Sequence, residues 1–120
     1  MDKPKLIVIS GAGLSAESGM ALFRGGNGLW NGHKISEVCW FPTWQANARL
    51  VYSFYNGLRV DLGTREPNPA HIKLAEWQRL YGAILVTQNV DDLLERAGCQ
   101  DVLHLHGFLT SMQCVLFKDS

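Results

Sequence analysis

Three short apolar runs stand out in a chain that is otherwise patterned for helices and polar turns. Leu6-Ile7-Val8-Ile9 is unbroken, rich in β-branched residues, and stops at Ser10. Ala83-Ile84-Leu85-Val86-Thr87 and Asp101-Val102-Leu103-His104-Leu105 repeat the pattern later. Short apolar runs bounded by turn residues predict strands in a buried parallel sheet. Between the first two, residues 45–62 place Leu50, Val51, Phe54, Leu58 and Leu62 at helical spacing. Gly57 weakens that helix by about 1 kcal/mol relative to Ala. Asn68 caps a second helix, with Pro69 at its first position, and Gly82 ends it after Tyr81. Asp92–Ala97 is a short helix closed by Gly98. Residues 25–44 hold five Gly or Pro and four aromatics, so they read as loop with short helical pieces. Trp40, Phe41 and Trp44 are expected in a small buried helical layer. Strands separated by helices predict an α/β fold.

The first strand opens into Gly11-Ala12-Gly13-Leu14-Ser15-Ala16. The spacing is G-x-G-x-x-A, a form of the dinucleotide fingerprint, with glycines for a tight turn and close approach of a diphosphate. Amides of the following helix would hold phosphate oxygens. A strand, turn and helix without any ligand fits the same run. Ligands of parallel sheets bind outside the carboxyl ends of the strands. Gly11–Ser15, Gln88–Asp91 and His106 all fall at such ends. The pattern is not that of a dehydrogenase. Glu37 lies about 20 residues past the glycines, where an acidic ribose ligand belongs, but no strand precedes it.

At 120 residues the chain suits one small domain, and 47% hydrophobic with 18% charged residues is a globular composition. Eleven basic and 11 acidic residues cancel, which argues against nucleic acid or an anionic membrane as partner. No apolar run approaches the ~20 residues of a membrane span, nor does the start resemble a secretory signal. A cytoplasmic location is therefore expected. Cys39, Cys99 and Cys114 are odd in number and far apart, unlike a disulfide framework.

Of the four histidines, His33 is expected to be solvated in a polar loop, and His71 to be structural in the first turn of a helix. His104 and His106 lie two residues apart at the end of the third apolar run. His106 sits at the strand end, near Gln88, Asn89 and Asp91, where a neutral imidazole suits a general base. Thr87-Gln88-Asn89-Val90-Asp91 reads in two ways. Asp91 serves as a helix N-cap, or the amides hold ribose hydroxyls and a carboxamide.

Taken together, Gly11–Gly19, Phe23-Arg24-Gly25, Thr87–Asp91, Glu95-Arg96-Ala97-Gly98 and Leu105-His106-Gly107 resemble the sirtuins, the NAD-dependent protein deacylases. The motifs span residues 5–107 in family order. Asn27–Trp30 and Phe54-Tyr55-Asn56 look most like the short bacterial branch. The resemblance implies a Rossmann-like parallel sheet, with core segments 1–24 and 83–107, a helical and loop insertion at 25–82 after the cofactor loop, and the C-terminal half of the fold missing. It implies NAD as cofactor and transfer of an acyl group from lysine to ADP-ribose, with release of nicotinamide. Gly11, Ala12, Gly13 and Ser15 would line the diphosphate, and Glu17 would brace their loop. Phe23 and Arg24 would sit in the mobile cofactor loop. Gln88 and Asn89 would contact the nicotinamide ribose, Asp91 the carboxamide, with Trp30 and Val90 also at the cofactor. His106 would be the general base. Acyl-lysine proteins are the implied partners, together with self-association or a complementing C-terminal half.

Departures from the family pattern matter. Members that handle acidic acyl groups carry Tyr-x-x-Arg. Here Tyr55 is followed at that spacing by Leu58, and Arg59 comes one residue later, turned by ~100° on a helix. These three are the candidate substrate-binding residues. Cys114 resembles the first ligand of the family's zinc module, but no C-x-x-C follows, so no zinc is expected. Two further readings stay open: NAD hydrolysis or ADP-ribosyl transfer from the same pocket, and a catalytically weak NAD-binding fragment.

Overall fold

The computed structural model describes residues 5–20, 29–30 and 32–112. A parallel sheet of three strands carries the fold: β1 (Ile7–Ser10), β4 (Ile84–Thr87) and β5 (Leu103–His104) in the order β1-β4-β5. The register pairs Ile7 with Ile84 and Ser10 with Thr87, then Val86 with Leu103 and Thr87 with His104. All three strands therefore end at one edge. Parallel neighbours need long crossovers. The first crossover holds α1 (Gly13–Ala16), a hairpin of β2 (Leu29–Trp30) and β3 (His33–Lys34), α2 (Ile35–Val38), a 3₁₀ turn (Phe41–Thr43), α3 (Ala48–Leu62) and α4 (Pro69–Tyr81). The second holds α5 (Leu93–Arg96).

The long helices follow their sequence signals. Asn68 Oδ1 accepts from the amides of Ala70 and His71, and Gly82 ends α4 in the left-handed region at φ +66°. Helix α3 buries Phe54, Leu58 and Leu62 along one stripe. They pack with Trp30, Val38, Leu93 and Leu109 into one core. A second core lies between the sheet and helices α4 and α5, with Leu74, Ala83, Leu85, Leu94 and Cys99 buried.

Several expectations needed correction. The loop over 25–44 contains a short antiparallel hairpin, Leu29–Trp30 with His33–Lys34, which a two-residue strand is too brief to signal. His33 is half-buried there, its ring edge-on to Phe54 at 5.3 Å, rather than solvated. Trp40 and Phe41 are 59% and 67% exposed, not buried in a helical layer, and Trp44 is half-buried beside Tyr52. Helix α3 starts at Ala48 because residues 44–47 form turns. Strand β5 is cut to two residues by Asp101, whose φ of +54° breaks the extended run. The helix after the glycines is a single turn, ended where Gly19 takes φ +92° beneath Arg65.

Among the described residues the sheet is covered on one face only. Val8 and Leu85 point to the α4–α5 side, while Ile7, Ile9, Leu103 and Leu105 are between 53% and 70% exposed on the other. β4 is the central strand, paired on both sides. What is uncovered is an apolar face. Among the described residues, no helix is long and apolar enough to cross a membrane.

Candidate active site

A cavity of about 550 Å³ opens at the carboxyl ends of the three parallel strands. Its walls come from four places. Ala12 and Ser15 follow β1, Gln88–Asp91 follow β4, and His106 follows β5. Trp30, Tyr55, Leu58 and Arg59 close it from the insertion.

At the back of the cavity a buried polar chain ties the first two walls together. The Asn68 amide donates to His71 Nδ1 at 3.0 Å, which leaves the imidazole proton on Nε2. Nε2 lies 3.3 Å from Ser15 Oγ and donates to it. Ser15 Oγ in turn donates to Asp91 Oδ2 at 2.8 Å, and Asp91 Oδ1 accepts from the Leu93 amide at 3.1 Å. Asp91 therefore reaches the first turn of α5 and the glycine loop at once. Asn89 Nδ2 adds a bond to Gly11 O at 2.9 Å. Asn68 Nδ2 donates to Leu14 O and Ser18 Oγ, so the start of α4 also grips α1.

Burial holds the His71 imidazole below its ordinary pKa near 6.5; Asp91 opposes that shift and Arg96 adds to it. The folded state thus takes up this proton later than the unfolded chain as pH falls. Stability is unaffected by this group above pH 6.5 and declines below it, until the folded imidazole itself titrates. Urea titrations at pH 7.5 and 5.5 of the native chain and of His71→Asn are expected to show the native chain losing more stability over that interval. Equal losses in both proteins would mean that His71 is not held neutral.

The candidate residues are placed as follows. Ala12, Ser15, Trp30, Gln88, Asn89, Val90, Asp91 and His106 all line the cavity. Gly11 and Gly13 flank it. A Cβ on Gly13 would meet nothing within 4 Å, and one on Gly11 only Gln88 Oε1 at 3.8 Å, so the space above this turn is open. Glu17 is exposed, and among the described residues its side chain makes no hydrogen bond or ion pair that would brace the loop. His106 is exposed in the turn after β5 rather than on the strand itself. Phe23, Arg24 and Cys114 lie outside the described residues. Among those described, no group of three His, Cys, Asp or Glu side chains could hold a metal ion.

On α3, Tyr55 Oη donates to Val38 O at 2.9 Å. Burial pushes the phenol well above its ordinary pKa, with Cys39 beside it adding to the shift. Leu58 is only 2% exposed and belongs to the core. Arg59 is not turned away from the cavity as its helix position suggested. Its side chain folds back along the wall, with Nε donating to Leu109 O at 2.6 Å and Nη1 to Asn56 Oδ1 at 2.8 Å.

Sequence reasoning missed several members. His71 was legible as structural, but its link to Ser15 spans 56 residues and has no local signal. Met20, Cys39, Phe108 and Leu109 also line the cavity. They carry no motif, and only the fold brings them there.

The Sir2 family model matches residues 11–119. The chain is 48% identical over 112 residues to an NAD-dependent protein deacylase of Campylobacter jejuni, covering 92% of the chain and 48% of that relative. It is 51% identical over 108 residues to one of Aggregatibacter actinomycetemcomitans, covering 90% and 52%. It thus spans about half the length of the curated relatives it matches. The structure is similar to that of a Sir2 homologue in complex with NAD, with TM-score 0.75 at 42% identity, over 87% of this chain and 41% of that one. It is also similar to a Sir2–p53 peptide–NAD⁺ complex, with TM-score 0.71 at 28% identity, over 87% and 41%.

Proposed function

We propose, from the premise that this chain belongs to the Sir2 family, that its cavity serves NAD-dependent removal of acyl groups from protein lysines. The observation that carries this is the convergence of Ser15, Gln88–Asp91 and His106 on one cavity at the ends of adjacent parallel strands. Relatives named NAD-dependent protein deacylase and neighbours solved with NAD support the same reading.

The residues present fit the nicotinamide-ribose end of NAD. The turn at Gly11–Gly13 leaves open space for phosphate, and Gln88 and Asn89 supply amides beside it. Bound NAD supplies a sugar carbon that loses nicotinamide as the acyl oxygen attacks, and the ADP-ribose that carries the acyl group away. Ser15 and Asp91 hold each other and fix the floor. Asn89 pins the β4–α5 loop onto Gly11. His106 projects into the cavity from a solvent-accessible turn, where an imidazole takes a hydroxyl proton and returns it to water. Trp30 and Tyr55 shield the insertion side from bulk water, which favours transfer over hydrolysis.

The test is the product. The chain, paired with the C-terminal segment of a relative, is incubated with NAD and an acetyl-lysine peptide. Acyl-ADP-ribose in step with nicotinamide is the expected result. Free ADP-ribose without acyl product would favour NAD hydrolysis instead.

The acyl group preferred is expected to be uncharged. Leu58 lies in the core and offers no charge, and Arg59 has Nε on a backbone carbonyl. A hydrogen bond to a charged group contributes about 1.5–3 kcal/mol, roughly tenfold to a hundredfold in selectivity. Acetyl peptides should therefore outcompete succinyl peptides, and Arg59→Gln should change their ratio by less than about threefold. Leu58→Arg is a poor probe, because it buries a guanidinium in the core. A strong succinyl preference lost in Arg59→Gln would show that Arg59 swings free to meet the carboxylate.

A further inference from the structure

We propose that Glu95 and His104 form a positioning pair that sets the backbone of Asn89 and, through it, the cavity wall. His104 lies on β5 with its side chain 4% exposed. Its Nδ1 is 2.8 Å from Asn89 O, and its Nε2 is 2.7 Å from Glu95 Oε2. A carbonyl oxygen only accepts, so Nδ1 carries a proton and donates it. The second nitrogen then faces a carboxylate, and a proton lies between them. This is the arrangement in which an acidic side chain fixes the tautomer and orientation of an imidazole for the work of its other nitrogen. Here that work is holding a peptide group.

Asn89 is held from every side. Its amide donates to Thr87 Oγ1 at 3.0 Å, and its side-chain nitrogen to Gly11 O at 2.9 Å and Ser15 Oγ at 3.4 Å. The carbonyl is the remaining handle, and His104 takes it. The Leu109 amide donates to Val90 O at 2.7 Å, so β5 and the turn after it hold the loop at two successive carbonyls. Phe108 covers the His104 ring at a centroid distance of 3.8 Å and itself lines the cavity. His106 follows two residues after His104, so the same anchor sets where the exposed imidazole leaves the sheet. Glu95 Oε1 is buried without a partner among the described residues, so His104 is the carboxylate's one hydrogen-bond partner there.

The functional meaning of the pair rests on the reading of Asn89 as a cofactor contact; the hydrogen bonds do not. The test therefore needs no NAD. Long-range ¹H–¹⁵N spectra of the 120-residue chain at pH 7 should show His104 Nδ1 protonated. Amide exchange at Leu109 and at the Asn89 side chain should quicken about tenfold in His104→Leu and return to within about threefold in His104→Asn, whose side-chain nitrogen takes the place of Nδ1. A packing role alone gives the reverse order, because leucine fills the site better. Glu95→Gln should keep the protection, since its amide donates to the bare Nε2, and Glu95→Leu should lose it. An unprotonated Nδ1 in the native chain, or equal protection in Glu95→Gln and Glu95→Leu, overturns the proposal even if His104→Leu fails to fold. Titrating NAD into the same samples with a relative's C-terminal segment added keeps the two readings apart: a native chain with the predicted ring state but no response at Asn89 removes the cofactor reading and leaves the positioning pair intact.

Discussion

His106→Ala is expected to lower acyl-ADP-ribose formation by about 10²–10⁴, the usual cost of losing a general base. The rate is measured with the chain paired to a relative's C-terminal segment. The fold should barely notice the change. His106 is exposed, lies beyond the last residue of β5, and makes no hydrogen bond among the described residues. Surface changes of that kind stay within roughly ±0.5 kcal/mol of native stability. NAD affinity should also stay within a few-fold, since Ser15, Gln88, Asn89 and Asp91 are untouched. A large loss of rate with folding and binding preserved is the signature of a group that acts on a proton. Near-normal turnover by His106→Ala would remove it from the mechanism.

The second large effect concerns the uncovered sheet. Ile7, Ile9, Leu103 and Leu105 are 58%, 70%, 55% and 53% exposed, the first two on β1, Leu103 on β5 and Leu105 in the turn that follows it. Contiguous apolar surface of this kind marks an interaction site or an association hazard. The crevice of a doubly wound sheet draws its walls from both sides of a switch point, and the walls described here come from one side. The 120-residue chain alone is therefore expected to bind NAD weakly and to self-associate. Supplying a relative's C-terminal segment in trans should disperse the association and tighten NAD binding. Two further hydrogen bonds at about 1–1.5 kcal/mol each would correspond to roughly thirty- to 150-fold. Monomeric behaviour with tight NAD binding by the chain alone would contradict this.

How far the sequence could be read depended on the range of the interaction. Strand β4 and helix α4 were legible because Ala83–Thr87 is an unbroken apolar run and Asn68-Pro69 with Gly82 are local stop and start signals. The convergence of Gly11, Gln88 and His106 followed from parallel topology alone. Elements of two residues, such as β2 and β3, carry no periodicity and were invisible. Aromatic content alone points to core for Trp40 and Phe41, whereas this segment runs over the surface. Arg59 departs from its helical angle for another reason. Helical angle fixes the Cβ direction, but a long flexible side chain can fold back, and Leu109 O draws it to the wall. The polar connections at the back of the cavity, Asn68–His71–Ser15–Asp91 and Glu95–His104–Asn89, join residues from separate elements, so no local window contains them.

The most direct measurement is an NAD titration of the ¹⁵N-labelled chain, up to millimolar concentrations, with and without the C-terminal segment. The amides of Gly11–Ser15 and Gln88–Asp91 and the His106 ring should shift together along one saturation curve, while the exposed face of α4, including Ile72 and Leu80, stays still. No response at these positions with the segment present, or a response confined to residues away from the cavity, would contradict the assignment of this cavity to NAD.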